Sequence, residues 1–329
     1  MRYAVNKWVN EMHLVETMAY TGEKPWHGLG NKLAPQQPIE SWKEQAGMNW
    51  EIQESEVQYI TGGKNVGTIK SFPENKVLYR SDTKAALAVV SKRFRVVQPG
   101  DVLEFYRDLT AENGFELESA GVLREGRKFW ALARTGQSMV LKGRDRVDGY
   151  LLLATACDGT LATTAQFTSV RVVCNNTLRI ALGEAKGAIK VPHRSHFDAD
   201  TVKRQLGITV SSWDGFVDRM KALVECPVDP DTVEGLLRRV LTYKVQDGKA
   251  NVVNEQALAT VRALHEGGGR GVMLSSSRGT AWGLLNSVTE FVDHHRRARS
   301  EDHRRDAAWF GQGAQIKQRA WDEVLELVS

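Results

Sequence analysis

The chain has 329 residues, of which 42% are hydrophobic and 26% charged, with a formal net charge of +4. That length buries a sizeable core, and the composition is ordinary for a globular protein, which argues against a disordered or fibrous chain. No run approaches about 18 consecutive apolar residues, so no membrane-spanning helix is expected.

The N-terminal MRYAVNKWVNEMH has neither the apolar stretch nor the cleavage site of a secretory signal. Residues 1–49 read as an arm: GEKPWHGLGNKLAPQQP (22–38) is dense in Gly and Pro, and Ile39 to Met48 fits a short helix. Within the arm, Trp26 of PWHGLG is read as docking onto the body. From Trp50 strand signals dominate. WEIQESEVQYI alternates with period two, Gly62–Gly63–Lys64–Asn65 is a hairpin turn, and GTIKSF and VLYRSD are further strands. TKAALAVVS reads as a short helix capped by Asp82 or Thr83. FRVVQPGDVLEFYRDLTAEN reads as strand, turn and helix, with Asp101 as N-cap and Val102, Phe105, Tyr106 and Leu109 on one face. Hairpins follow around Glu125–Gly126 and around Asp158–Gly159, with SMVLKGRD between them.

After Cys174 the pattern turns helical. NTLRIALGEA reads as helix, KGAIKVPHRSHFDADTVKRQLG as a basic linker into a helix capped by Asp198 or Asp200, and the remainder as helix broken by CPVDPD, QDGKANV and HEGGGRGVMLSSSRG. The expected class is α+β: an N-terminal arm over 1–49, a central antiparallel β-meander with short packing helices over 50–190, and a mostly helical part over 191–329.

No set of residues announces an enzyme. Cys157, Cys174 and Cys226 are widely spaced and form no CxxC pair. This speaks against a disulfide framework or a cysteine zinc site, and fits core thiols in a reducing cytoplasm. A nucleophilic Cys174 paired with His193 or His27 has no surrounding signature. Glu290, Asp293, His294, His295 and His303 have ligand chemistry, but Arg296, Arg297, Arg299, Arg304 and Arg305 among them oppose a dication. The bland reading is a solvated helix. HEGGGRGVMLSSSRGT (265–280) is either a plain loop or an anion nest with Arg270 and Arg278; it lacks the Walker lysine. No cofactor is expected.

Three basic clusters carry aromatics. Lys92, Arg93 and Arg95 surround Phe94. Arg124, Arg127, Lys128 and Arg134 surround Phe129 and Trp130. Lys142, Arg144 and Arg146 follow in the next turn. If their strands are neighbours, they line a groove for a single-stranded backbone with rings for stacking. Charge reversal at Lys128 and Arg144 is then expected to weaken binding without unfolding. The alternative is that hairpin tips are simply charged.

PWHGLG (25–30), LYRSDT (78–83), ESAGVLREGRKFWALAR (118–134), DGTLATTAQFTSVRVVCNNTLRIAL (158–182) and EFVDHHRRAR with AWFGQGAQIKQRAWDEVLEL (290–327) together resemble a phage- and plasmid-like family, domain of unknown function 932. The resemblance implies a bacterial or phage cytoplasm and a mobile-element role. At fold level the order of elements is similar to Rad52-like single-strand annealing proteins, which form rings around which single-stranded DNA winds.

In TSVRVVCNNTL (168–178), Val170, Val172 and Val173 are expected to face the helices, with Ser169 and Arg171 on the open side. Arg171, Asn175 and Asn176 then meet phosphate at a helix start. The competing reading pairs Arg171 with a core carboxylate such as Asp158 and makes the asparagines caps. The functional expectation is a single-stranded DNA-binding, strand-annealing protein acting as a homo-oligomer without membrane attachment. The alternatives are a host-interaction or anti-defence protein and a metal-dependent nuclease.

Overall fold

The computed structural model describes residues 15–22, 30–62, 67–112, 114–171, 173, 176–179, 188–210, 212–244 and 251–329. In chain order the elements are β1 (Val15–Tyr20), β2 (Asn31–Lys32), α1 (Ile39–Gln45), β3 (Ile52–Thr61), β4 (Thr68–Arg80), β5 (Ala86–Ser91), α2 (Pro99–Glu104) and α3 (Arg107–Glu112). The meander follows as β6 (Glu116–Leu123), β7 (Lys128–Leu141), β8 (Asp145–Ala156), β9 (Thr163–Arg171), β10 (Asn176–Arg179) and β11 (Ile189–Val191). Then come α4 (Ala199–Val210), α5 (Ser212–Glu225), α6 (Pro230–Leu241), β12 (Thr242–Lys244), β13 (Asn251–Val253), α7 (Glu255–Ala263), α8 (Ala281–Glu290), α9 (Glu301–Phe310) and α10 (Gln312–Leu325). The class is α+β.

The main sheet runs β10-β9-β8-β7-β6-β1-β2, and β11 joins the edge of β9 beyond β10. All its pairings are antiparallel except β1 with β2. Period-two alternation splits the side chains between two faces. Phe129, Ala131, Ala133, Leu151 and Leu153 enter the core under the helices. Trp130, Leu132, Tyr150, Leu152 and Ala154 form a second cluster, against which Trp309 and Phe310 of α9 pack. Gly121 sits opposite Trp130 in the ladder, and a Cβ there would lie 2.2 Å from the indole, so only glycine leaves the ring its place. Each of the leucine and phenylalanine side chains removed from water is worth about 1.5–3 kcal/mol.

α8 is buried at all ten positions, as befits a helix in the middle of a core. Thr280 caps it by accepting the Gly283 amide at 3.1 Å. Asp198, as expected, caps α4 by accepting the amides of Asp200 and Thr201. One buried apolar cluster draws on Ile39 and Trp42, on the meander, and on the helices through Val324.

The structure departs from the sequence expectations locally. TKAALAVVS is not a helix. Ala86–Ser91 is a strand on β4, where Val89 and Val90 fit a pleated surface. GTIKSF and VLYRSD are one strand running through Pro73. Asp101 is not the cap of α2: Gln98 is, and the Asp101 carboxylate accepts its amide at 2.9 Å. Part of the arm is a sheet strand, β1 on β6. The expected helix after Cys174 is, over 176–179, the strand β10 on β9; residues 180–187 lie outside the described residues.

Candidate nucleic-acid interface

The smaller sheet, in order β3-β4-β5, forms one wall of a groove. The opposite wall is the 94–98 loop, α2 and the start of α4. The cavity measures about 1070 Å³, and Phe72, Phe94, Phe105 and Phe197 are among its linings. The loop is fixed to β3 by Gln98, whose side chain accepts from the Ile52 amide at 2.8 Å and donates to the Ile52 carbonyl at 3.1 Å.

The electrostatics of the groove follow from which charges are already paired. The Glu54 carboxylate accepts from Lys76 at 2.6 Å. Glu104 is held by Arg107 at 2.7 Å and by Lys43, and its carboxyl is lowered to about 2, chiefly by the Arg107 hydrogen bond. Asp101 is occupied by the Gln98 amide. On the rim, Lys92, Arg93 and Arg95 are exposed, and their charged ends have no partner among the described residues. Glu54 and Glu104 are thus neutralised by cations, Glu56 and Asp101 keep their charge on the walls, and the rim carries free positive charge.

His193 locks this rim to the main sheet. Its ring stacks on Phe94 with centroids 4.3 Å apart and 19° between planes. Its Nε2 lies 2.9 Å from the Leu161 carbonyl and its Nδ1 3.2 Å from the Arg95 carbonyl. The Arg95 amide in turn donates to the His193 carbonyl. Arg194, exposed beside it, adds a further cation, and His196 lines the groove. The sequence does not assign these residues to a nucleic-acid site, because HRSH lies in what reads as a basic linker. The signal was its two histidines and arginine beside a strand, and only the fold brings them to Phe94.

The other sequence-nominated residues do not join this rim. The β6–β7 turn does lie at the same end of the main sheet, since the Cys157 amide donates to the Arg127 carbonyl. But Arg124 donates to Asp306 at 2.9 Å, and Lys128, 3% exposed, is bound to the same carboxylate. Arg127 is half-buried near Glu125. Trp130 is in the second core cluster and offers no face for stacking. Lys142, Arg144 and Arg146 lie at the opposite end of β7, about 40 Å away at the usual rise per residue. Lys142 faces Glu225 at 3.1 Å, Arg146 pairs with Asp148 at 2.7 Å, and Arg144 is exposed. The three clusters therefore do not converge.

Arg171 is also not on an open face. Arg171 pairs with Val147 across the ladder and Ser169 with Gly149, which turns both toward the helices. Both are 2% exposed, Val170 packs on the other face and Val173 is exposed. Its partner is a core carboxylate, but Asp145 and not Asp158, which sits at the far hairpin tip and accepts from Thr160. Asn176 belongs to the strand β10 and, among the described residues, does not start a helix. Asn175, Cys174, Trp26 and His27 lie outside the described residues.

The Gly/Ser loop is committed to the core. Ser276 donates to Asp145 at 2.7 Å and Ser277 accepts from Arg171 at 2.6 Å; Arg270 and Arg278 are exposed. In the His/Arg-rich segment, Glu290 accepts the Arg270 amide at 2.9 Å and Asp293 pairs with Lys317 at 2.8 Å. Among the described residues, no three His, Cys, Asp or Glu side chains are grouped to hold a metal ion. Nor is any described helix long and apolar enough to cross a membrane.

A family model described as a domain of unknown function, DUF932, matches residues 86–309, about two thirds of the chain. No curated protein and no solved structure matches it.

Proposed function

We propose that this chain, which belongs to the DUF932 family, binds single-stranded DNA in the groove between β3-β4-β5 and α2. One observation carries the reading: unpaired Lys92 and Arg95 line the groove together with exposed Phe72 and half-buried Phe94, exposed Arg93 and Arg194 are their neighbours along the chain and beside His193, and the groove acids Glu54 and Glu104 are held by cations. Cations hold phosphates and rings take unpaired bases by stacking, which favours a single strand over a duplex and requires little sequence preference. Strand annealing by a homo-oligomer, in the bacterial cytoplasm and on behalf of a phage or other mobile element, is the wider role this reading suggests.

The test is the double variant Lys92→Glu with Arg95→Glu. Losing two phosphate contacts lowers the salt slope of single-strand binding by about 1.4 and the affinity by tenfold or more. An unchanged affinity overturns the groove assignment.

A second reading has its own support. Beyond the pairing of Asn75 with Ser91 the β3–β4 hairpin continues, among the described residues, without a third strand, and Ile60 and Ile69, opposite each other, are 74% and 63% exposed. Such an arm suits a host-protein contact. Capture of one defined host protein after nuclease treatment, abolished by Ile60→Glu, favours that reading.

A further inference from the structure

The three-stranded sheet has two edges, and they differ in character. Along β3 stand Glu54 and Glu56, and charge on an edge strand discourages pairing with another chain. β5, with the sequence ALAVVS, carries no charge and no proline. Among the described residues no strand pairs with its outer edge. Its one irregularity falls at Leu87, which leaves Ala88–Ser91 as regular ladder. Leu87 and Val90 are core residues at 5% and 8% exposure, whereas Val89 is 61% exposed.

We propose that β5 pairs antiparallel with β5 of a second copy of this chain about a two-fold axis, fusing the two small sheets into one of six strands. The inference rests on the self-association part of the reading above and not on nucleic-acid binding. An isologous joint requires a self-complementary surface, and an antiparallel backbone edge provides one. With the axis at Val89, this side chain meets its own counterpart, and Ala88 lies opposite Val90 of the partner subunit. No like charges oppose one another along the ladder. A β3–β3 joint would bring the Glu54 and Glu56 rows together. The neutral strand also offers nothing to select an acidic or basic peptide. Six residues from each copy form a contact below the usual size of a permanent interface, so the dimer is weak and depends on concentration. The joint places the two Lys92 residues at opposite ends of a shared ladder, about 20 Å apart.

Sedimentation velocity over a concentration series, on nuclease-treated protein, tests this with three chains: wild type, Val89→Lys and Val89→Cys. The Val89 side chain is exposed, and circular dichroism verifies that the variants fold. The expected result has three parts. The wild type shifts from monomer to dimer with concentration. Val89→Lys stays monomeric to at least tenfold higher concentration. Val89→Cys gives a covalent dimer on oxidation that the wild type does not. A wild type monomeric throughout overturns the inference together with self-association. A Val89→Lys chain that dimerises like wild type, with no Val89→Cys crosslink, overturns this edge alone. Neither result bears on DNA binding, which is measured separately.

Discussion

Arg171 and Asp145 form a bidentate ion pair inside the protein. Nε and Nη2 of the arginine donate to the two carboxylate oxygens at 2.7 Å each, and neither side chain is more than 3% exposed. The pair is the centre of a network. Ser276 Oγ and Trp282 Nε1 donate to Asp145 at 2.7 and 3.0 Å, and Arg171 donates to Ser277 Oγ at 2.6 Å. It ties the start of β8 and the end of β9 to the loop before α8. Removing one partner leaves a buried charge alone, so Asp145→Ala is expected to cost about 3–5 kcal/mol. The double change Asp145→Leu with Arg171→Met costs much less than the two single changes added together. Urea unfolding of the four chains measures this; additive costs would contradict it.

Lys128 yields a folding phenotype where the sequence suggested a binding one. It is buried on Asp306, with Phe310 beside it. Lys128→Glu sets two carboxylates against each other in a site shielded from water. The expected outcome is a loss of several kcal/mol, with α9 released from β7, seen as a lower melting temperature before any DNA is added. Arg144→Glu leaves the unfolding free energy within about 0.5 kcal/mol of wild type. A Lys128→Glu chain as stable as wild type would contradict the pairing.

How far the sequence could be read depended on the range of the forces involved. The β6–β7 and β8–β9 hairpins were legible because Glu125–Gly126 and Asp158–Gly159 are local turn chemistry beside alternating strands. The rim cations Lys92, Arg93 and Arg95 were legible as a charge cluster. Which side of β9 carries Arg171 was not, because register is set by a partner strand 24 residues away at Val147. The three basic clusters looked alike in sequence. They differ in whether a carboxylate distant in the chain, Asp306 or Glu225, already holds a cation. ALAVVS looked helical because alanine and leucine favour helices, and pairing with β4 overrode that preference.

Cys157 is a structural thiol. It is 3% exposed, and burial first, then the neighbouring Asp158 charge, push it up to about 12. The thiolate is the reactive form. Iodoacetamide at pH 8 is therefore expected to leave Cys157 unmodified in the native protein while labelling the half-buried Cys226. Peptide mass spectrometry reads both sites. Native labelling of Cys157 at the denatured rate would contradict its burial.

Acid is expected to loosen the contacts beside the groove. Arg80 holds Asp82 at about 2, below its ordinary 3.8, and Arg107 holds Glu104 at about 2, below 4.5. Both folded values are depressed, so the stability these groups lend is fully present above the ordinary carboxylate range. It is lost as pH falls from about 4.5 toward 2. Melting temperature should therefore hold near neutrality and drop across that window, and Arg107→Ala should shrink the part due to Glu104, Lys43 retaining the remainder. A Glu104 that titrates at its ordinary value by NMR would contradict the ion pair.

Single-strand binding at the rim is read out by fluorescence anisotropy. A labelled single-stranded oligonucleotide and a duplex of equal length are titrated with the protein at two salt concentrations. The expected result is tighter binding to the single strand, weakened by salt and weakened again by Lys92→Glu with Arg95→Glu. No binding at low salt, or equal binding to duplex that the rim variant leaves unchanged, would contradict it.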